Sequence, residues 1–555
     1  MTTPLPGPEN APDPETASTE EAAASTVRLG RASAIMASGT AVSRIFGVLN
    51  ITLLGWAIGV TTNVADAFSV ANKLPNTLYL LIAGGVLNAV LVPQVVRAYR
   101  RPDGQTYVDR LLTVGIVFLG GLTLILTAAA PLWVRLYSDY PDPRTTAVAT
   151  ALAFWAIPQV FFYGLYSLLG QVLNARGSFG PYMWAPVVNN LVFITGILVF
   201  HQLFGGVDQA TDLDTWSTAQ TVVLGGSATL GIIAQALILL IPLYRSGFRY
   251  RPRWGLRGSG LGTAGRVATW TFAGLLVGQV GVWAVSVVAS AVDGENLAGN
   301  AVYDRAFLIF MLPHSLVTVS LATALFTRLS AKAAAEDTAG VRADLSLGMR
   351  TVGLFTVLGT TGIAVLAYPI SRLLVVDGPD AAVHALAQVV ITMVLGLTGF
   401  GVWSLCQRIY YAYQDAKSMF PIQVVMAVIV VAGTLLGRWV LDQAYWVAAA
   451  TGSMAVSYWV GAGIALVMIR RRLRGIDGRR VLQTHVKALL AAALSAGAGL
   501  GLLAVLGPVR SFGDALLACV LGGLLMSVVY LGVLVLLRTT ELRAAVAPLL
   551  RRLKR

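Results

Sequence analysis

Long apolar stretches, each closed by a short polar loop, follow one another along nearly the whole chain. They begin near residues 34, 66, 108, 145, 182, 219, 263, 298, 345, 383, 417, 444, 483 and 513. A helix rises about 1.5 Å per residue, so roughly 20 apolar residues cross the ~30 Å hydrocarbon layer of a bilayer. The pattern predicts an all-α polytopic membrane protein of about fourteen transmembrane helices. The loops alternate in charge. One set carries Arg28 and Arg31, Arg97 to Arg101, Arg176, the run from Arg245 to Arg257, Arg328 and Lys332, Arg408 and Lys417, and Arg470 to Arg480. The other carries Asp66, Asp139, Asp142, Asp208, Asp212, Asp293, Asp377 and Asp442. Basic loops stay on the cytoplasmic side, which places both termini in the cytoplasm and requires an even number of spans.

Composition agrees with this pattern. Of the 555 residues 56% are hydrophobic and 12% are charged, where a soluble protein is about 25% charged. The net charge of +14 lies in short loops between spans, which suits membrane topology rather than a nucleic-acid surface. Cys406 and Cys519 lie inside apolar segments, and the four histidines are scattered. The chain therefore offers no disulfide framework, no metal-ligand spacing and no call for a cofactor. It also lacks a Walker A motif and a nucleophile elbow, which points to a transporter rather than an enzyme. Residues 1–33 form an acidic tail, Pro- and Glu-rich over 1–27, without the basic and apolar regions of a signal peptide.

A faint internal repeat organises the spans. Leu74-Pro75 recurs as Leu312-Pro313, and the segment opening at Gln171 recurs at Gln407 with nearly the same offset. This predicts two six-helix bundles, 34–244 and 263–470, followed by two further helices at 483–537 and a basic cytoplasmic tail at 538–555. Bundles with an even number of spans share one orientation, as in transporters that rock about a central cavity.

The charges inside the spans carry the chemistry. Counted from Arg31 at ~1.5 Å per residue, Arg44 lies roughly 20 Å into the bilayer. A cation there costs about 3 kcal/mol or more unless it meets an anion or lines a wet cavity. Ser43 precedes it, and the next span brings Asp66, Lys73 and Pro75. Lys73 sits about 10 Å deeper than Asp66, either facing a cavity, pairing with Asp66 or snorkelling to the interface. Asp304 and Arg305 open the eighth span, as a self-neutralising pair or as cavity residues. Asn189 and Asn190 are read as amides that join helices, and Pro186, Pro313 and Pro421 as kinks. The expected cargo is a lipid-linked anion handled among membrane lipids.

SGTAVSRIFGVLN (38–50), ADAFSVANKLPN (65–76), GGVLNAVLVPQV (84–95), LNARGSFGPYMWAP (173–186) and LPHSLVTVSLATALFTRLS (312–330) resemble the MurJ (MviN) lipid II flippase family. That family belongs to the multidrug/oligosaccharidyl-lipid/polysaccharide exporter superfamily. The resemblance implies a bacterial plasma-membrane protein with a cationic central cavity. It would turn the undecaprenyl-pyrophosphate-linked peptidoglycan precursor toward the periplasm. It implies substrate-handling roles for Arg44 and Asp66, and a groove for the polyprenyl tail along 483–537. The chain departs from the family pattern at Asn50, where a second arginine is usual, and at Tyr79, where arginine is frequent. Carboxylates proposed to bind sodium in some relatives have no counterpart in 263–292 or 417–440, and Arg305 lies about one turn further from Pro313 than in some relatives. The alternatives are a flippase for another polyprenyl-linked glycan, a multidrug antiporter of the same superfamily, or a non-transporting scaffold whose tails recruit cell-wall synthesis proteins.

Overall fold

The computed structural model describes residues 38–82, 104–178, 180–255, 265–294, 296–539 and 541. The acidic tail, the 84–95 motif with Gly84, Gly85 and Asn88, the Arg97 to Arg101 cluster, Arg257, and the basic tail beyond 541 lie outside the described residues. Within them every regular element is helical. The long segments are α1 (Ser38–Ile58), α2 (Asn63–Ile82), α3 (Gly104–Ala128), α4 (Pro143–Ala175), α5 (Gly180–Phe204), α6 (Thr218–Arg245) and α7 (Gly265–Ser290). They continue as α8 (Asn300–Ala334), α9 (Thr338–Val365), α10 (Asp380–Val394 with Leu397–Ala412), α11 (Ala416–Val440), α12 (Trp446–Arg472), α13 (Gly478–Leu506) and α14 (Phe512–Leu536).

Among the described residues, twelve helices are long and apolar enough to cross a membrane, or thirteen when the pair forming α10, bent by 42°, counts as one span. Among the described residues the expected count of fourteen is not confirmed. The predicted second span coincides with α2, whose described 20 residues carry Asp66 and Lys73 and end where the description stops.

Local chemistry sets the helix ends. Ser217 and Gln220 form a reciprocal capping box at α6, as Ser511 and Asp514 do at α14. Each pair gives two backbone N–H groups an acceptor that the helix cannot supply. Asp337 and Asp415 cap α9 and α11 by accepting from Gly340 N and Ser418 N. Asp142 caps α4, and its bonds from the Arg144 backbone and then the Arg144 side chain hold its carboxyl below the usual range. The proline reading holds at Pro313, which is followed by a π turn over His314–Thr318. Proline cannot donate to the preceding turn, and the wider turn absorbs that break in α8.

The loops segregate into an acidic end, with Asp139, Asp142, Asp208, Asp293 and Asp377, and a basic end, with Arg176, Arg249, Arg328 and Arg470 to Arg474. Helices α1–α6 pack together, as do α7–α12. At the basic end their cores are separate: one draws on Val108 to Phe248, the other on Ala322 to Leu473. At the acidic end the cores interlock, because Ala301 joins the first and Val60 joins the second. Helices α13 and α14 pack outside the second group on α9, where Tyr530 Oη donates to Leu354 O at 2.7 Å.

Candidate functional site

The two helix groups are stitched together at the acidic end, chiefly where α2 meets the start of α8. Asp66 is 9% exposed, and its two oxygens accept the backbone N–H of Asn300 at 3.0 Å and of Ala301 at 2.9 Å. These are unsatisfied donors of the first turn of α8, so a carboxylate there gains both hydrogen bonds and the favourable end of the helix dipole. The approach requires Gly299, because a Cβ at that position would collide with the Asp66 carboxylate.

One turn further along α2, Ser69 donates to Asp304, and Lys73 Nζ lies 3.4 Å from Asp304 and donates to Asn300 Oδ1 at 2.7 Å. Asn300 also donates from Nδ2 to Ser286 O on α7 at 3.0 Å. Arg305 is 4% exposed and donates to Ala301 O at 3.1 Å and, across the groups, to Gly59 O at 3.4 Å. A second line of contacts joins the segment after α3 to the second group. There Trp283 donates to Leu136 O, Ser286 to Tyr137 O and Asp139 N to Ser290 Oγ, while Arg438 pairs with Asp139 at 3.0 Å.

This arrangement corrects two pairings left open by the sequence. Asp66 forms its bonds with the α8 backbone and not an ion pair with Lys73, whose carboxylate partner is Asp304. Asp304 and Arg305 form no direct ion pair with each other among the described residues, since adjacent helical residues point in different directions. Arg305 instead bonds to two backbone carbonyls. Asn300, Ser69 and Gly299 escaped sequence reasoning. Each is a small neutral residue whose role exists only once α2 and α8 meet.

Ser43, Arg44 and Asn50 form a separate set on α1. Asn190 on α5 donates to Ser43 O at 3.1 Å and accepts from Asn50 Nδ2 at 3.4 Å, so it joins helices as expected. Arg44, placed deep in the bilayer by its position along the helix, is exposed, and its side chain has no hydrogen-bond or ion-pair partner among the described residues. Tyr79, at the other departure from the family pattern, packs its ring 5.4 Å from that of Tyr163, tilted by 30°, inside the first group.

Exposure divides the four helices that face one another across the groups. The acidic-end halves of α1, α2, α7 and α8 are mostly buried, while their basic-end halves open. The opened faces are polar in part: Arg44 on α1, Asn76 on α2, and Ser320, Thr323 and Thr327 on α8. The hydroxyls of α8 recur at helical spacing along one face, as suits a wet surface better than lipid. Just inside the seal lies a cavity of about 370 Å³ lined by Asn72, Lys73, Asn76, Asp304 and Arg305. Beyond the seal a larger cavity of about 830 Å³ is lined by Asp208, Asp293 and Asp377, with no lysine or arginine among the described residues of its wall, and would repel an anion.

Comparison with known proteins agrees with this geometry. The lipid II flippase MurJ family pattern matches residues 56–518. The chain belongs to the lipid II flippase MurJ family. The matched segment begins after Ser43, Arg44 and Asn50 and includes Asp66, Lys73, Asp304 and Arg305. A probable lipid II flippase MurJ of Vibrio cholerae is 24% identical over 540 residues, covering 93% of this chain and 98% of the relative. A probable lipid II flippase MurJ of Haemophilus influenzae is 25% identical over 414 residues, covering 70% and 77%. Among solved structures, a lipid II flippase MurJ in an inward closed conformation superposes with a TM-score of 0.68 at 16% identity, covering 90% of this chain and 99% of that one. An inward-facing multidrug transporter of the MATE family gives 0.59 at 14% identity, covering 78% and 99%. These likenesses show that the fold is shared with both solved proteins.

Proposed function

We propose that this chain moves lipid II, the undecaprenyl-pyrophosphate-linked peptidoglycan precursor, from the cytoplasmic to the periplasmic leaflet of a bacterial plasma membrane. The supporting observation is the asymmetry of the two helix groups. They are sealed at the acidic end by Asp66, Lys73, Asn300 and Asp304, and parted at the basic end, where Arg44 stands exposed and without an ion-pair partner among the described residues. With basic loops cytoplasmic, both termini are inside and the structure faces inward. The bundles at 34–244 and 263–470 rock about the seal, and 483–537 holds the polyprenyl tail.

In this reading Arg44 receives the pyrophosphate from the cytoplasmic side. A guanidinium offers a planar fork to phosphate oxygens and stays charged at any physiological pH. Lys73 and Arg305 wait at the end of the path, already engaged by Asp304, Asn300 and backbone carbonyls. An arriving anion competes with Asp304 for Lys73 and so loosens the seal through which the head group leaves. Ser43 and Asn50, held by Asn190, fix the face of α1 that presents Arg44. The test is complementation: after depletion of a bacterium's own lipid II flippase, this chain restores growth. Lysis despite normal accumulation in the membrane removes the proposal and favours the scaffold reading.

A further inference from the structure

A second cationic cavity, of about 430 Å³, lies at the basic end between α9, α13 and the end of α14, far from the seal. Its walls carry Arg350, Arg480, Lys487 and Arg538 against one carboxylate, Glu541. Glu541 is 8% exposed and is taken up by an ion pair with Arg350. Lys487 Nζ donates to Leu537 O at 2.8 Å and has no carboxylate partner among the described residues. The Arg480 and Arg538 side chains are exposed and form no hydrogen bond or ion pair among the described residues.

Topology alone accounts for arginines that project into cytoplasmic water. It does not account for a walled cavity. The chain turns back after α14 through Arg538, whose φ of 51° is left-handed, with Thr539 N donating to Leu534 O at 3.1 Å. That turn carries Arg538 and Glu541 over α13, where Thr484 and Thr539 complete a polar floor. Beside the cavity the helix surfaces become exposed and apolar, with Leu482, Val486 and Leu489 on α13 and Val535 and Leu536 on α14. A phosphate with hydrocarbon chains attached matches both surfaces at once.

We propose that this cavity binds the headgroup phosphate of an anionic phospholipid of the adjoining leaflet, with its acyl chains along α13 and α14. Guanidinium groups grip phosphate oxygens by paired hydrogen bonds, and basic pockets between transmembrane helices on the cytoplasmic side suit anionic headgroups. The site does not depend on lipid II flipping, and it is tested by lipid retention rather than transport.

The full chain is purified in detergent with phosphatidylglycerol or phosphatidylcholine as probe, and retained lipid is counted by native mass spectrometry. One phosphatidylglycerol is retained per chain, and phosphatidylcholine is not. Neutralising one surface cation costs about fivefold in affinity for an anionic lipid, so Arg480→Gln with Arg538→Gln weakens retention roughly 25-fold. Arg480→Lys with Arg538→Lys keeps most of it. The control pair Arg470→Gln with Arg471→Gln, exposed on α12, leaves retention unchanged. Equal losses from both glutamine pairs would show diffuse attraction and overturn the site. Displacement of phosphatidylglycerol by millimolar inorganic pyrophosphate, or retention of undecaprenyl pyrophosphate that Arg480→Gln with Arg538→Gln abolishes and Arg44→Ala does not, would assign the cavity to a diphosphate and equally overturn the phospholipid.

Discussion

Asp66→Asn removes the charge from the seal while keeping its shape. In the closed state both carboxylate oxygens accept backbone N–H groups of α8, at 3.0 and 2.9 Å. Asparagine keeps one acceptor and turns an NH2 toward the other donor. A hydrogen bond to a charged group contributes roughly 1.5–3 kcal/mol, and a charge at a partly buried helix terminus up to ~2 kcal/mol. Allowing for the retained acceptor, the closed state loses about 2–3 kcal/mol. That lowers the closed-to-open ratio roughly 30- to 150-fold. Gly299→Ala reaches the same contact independently: its φ of −115° is open to alanine, so the added Cβ acts only by displacing Asp66.

The readout is a single cysteine at Ser286, on α7 and 0% exposed against Tyr137, after removal of Cys406 and Cys519. Thiol labelling of the purified protein is compared with and without each seal variant, so the effect of Ser286→Cys itself cancels. Labelling should accelerate by at least tenfold in both. A change below about threefold in both variants, or less than ~0.7 kcal/mol, would refute the assignment of Asp66 to the seal.

Three further outcomes follow from the same structure. Arg44→Ala should abolish flipping yet accumulate normally, because an exposed, unpartnered side chain contributes within about 0.5 kcal/mol to stability. Arg44→Lys should retain part of the activity, and complementation with quantified membrane levels reads both. In the same cysteine-free background, cysteines at Asp212 or Asp293 should react with an impermeant reagent outside intact cells, and cysteines at Arg253 or Arg474 should not; the reverse pattern would invert the topology. Collapse of the membrane potential with valinomycin and potassium should slow flipping, while sodium removal should not. Returning one positive charge across the membrane is favoured by about 2.3 kcal/mol per 100 mV with the inside negative, and sodium dependence with indifference to potential would contradict this reset.

Much of the architecture was legible because a bilayer imposes a coarse rule: each helix needs a long apolar run, and loop charge alternates with side. The starts predicted near 108, 145, 182, 219, 417, 444, 483 and 513 fall within a few residues of helices α3 to α6 and α11 to α14. α10 reads as one apolar run in the sequence, but Leu395 and Gly396 interrupt it as a bent pair. The site was legible only as a roster of charges. Lys73, Asp66, Asp304 and Arg305 were identified, and their partners were not, because Lys73 and Asp304 are 231 positions apart and meet through the packing of α2 on α8. Arg44 was placed by its depth inside the bilayer, facing an anion or a wet cavity, and the structure leaves it exposed. Depth along a helix and burial within a protein are different quantities, and the opening of the basic-end halves separates them.

Flipping by the purified chain in liposomes tests the central claim most directly. The substrate is undecaprenyl-pyrophosphate-linked precursor with a fluorescent head group, reconstituted with a potential imposed across the membrane, and an impermeant quencher reports the outer-leaflet fraction over time. The account predicts movement between leaflets that requires the protein and is lost in Arg44→Ala at equal incorporation. Leaflet exchange no faster than in protein-free liposomes, or equal in the wild type and Arg44→Ala, would contradict it.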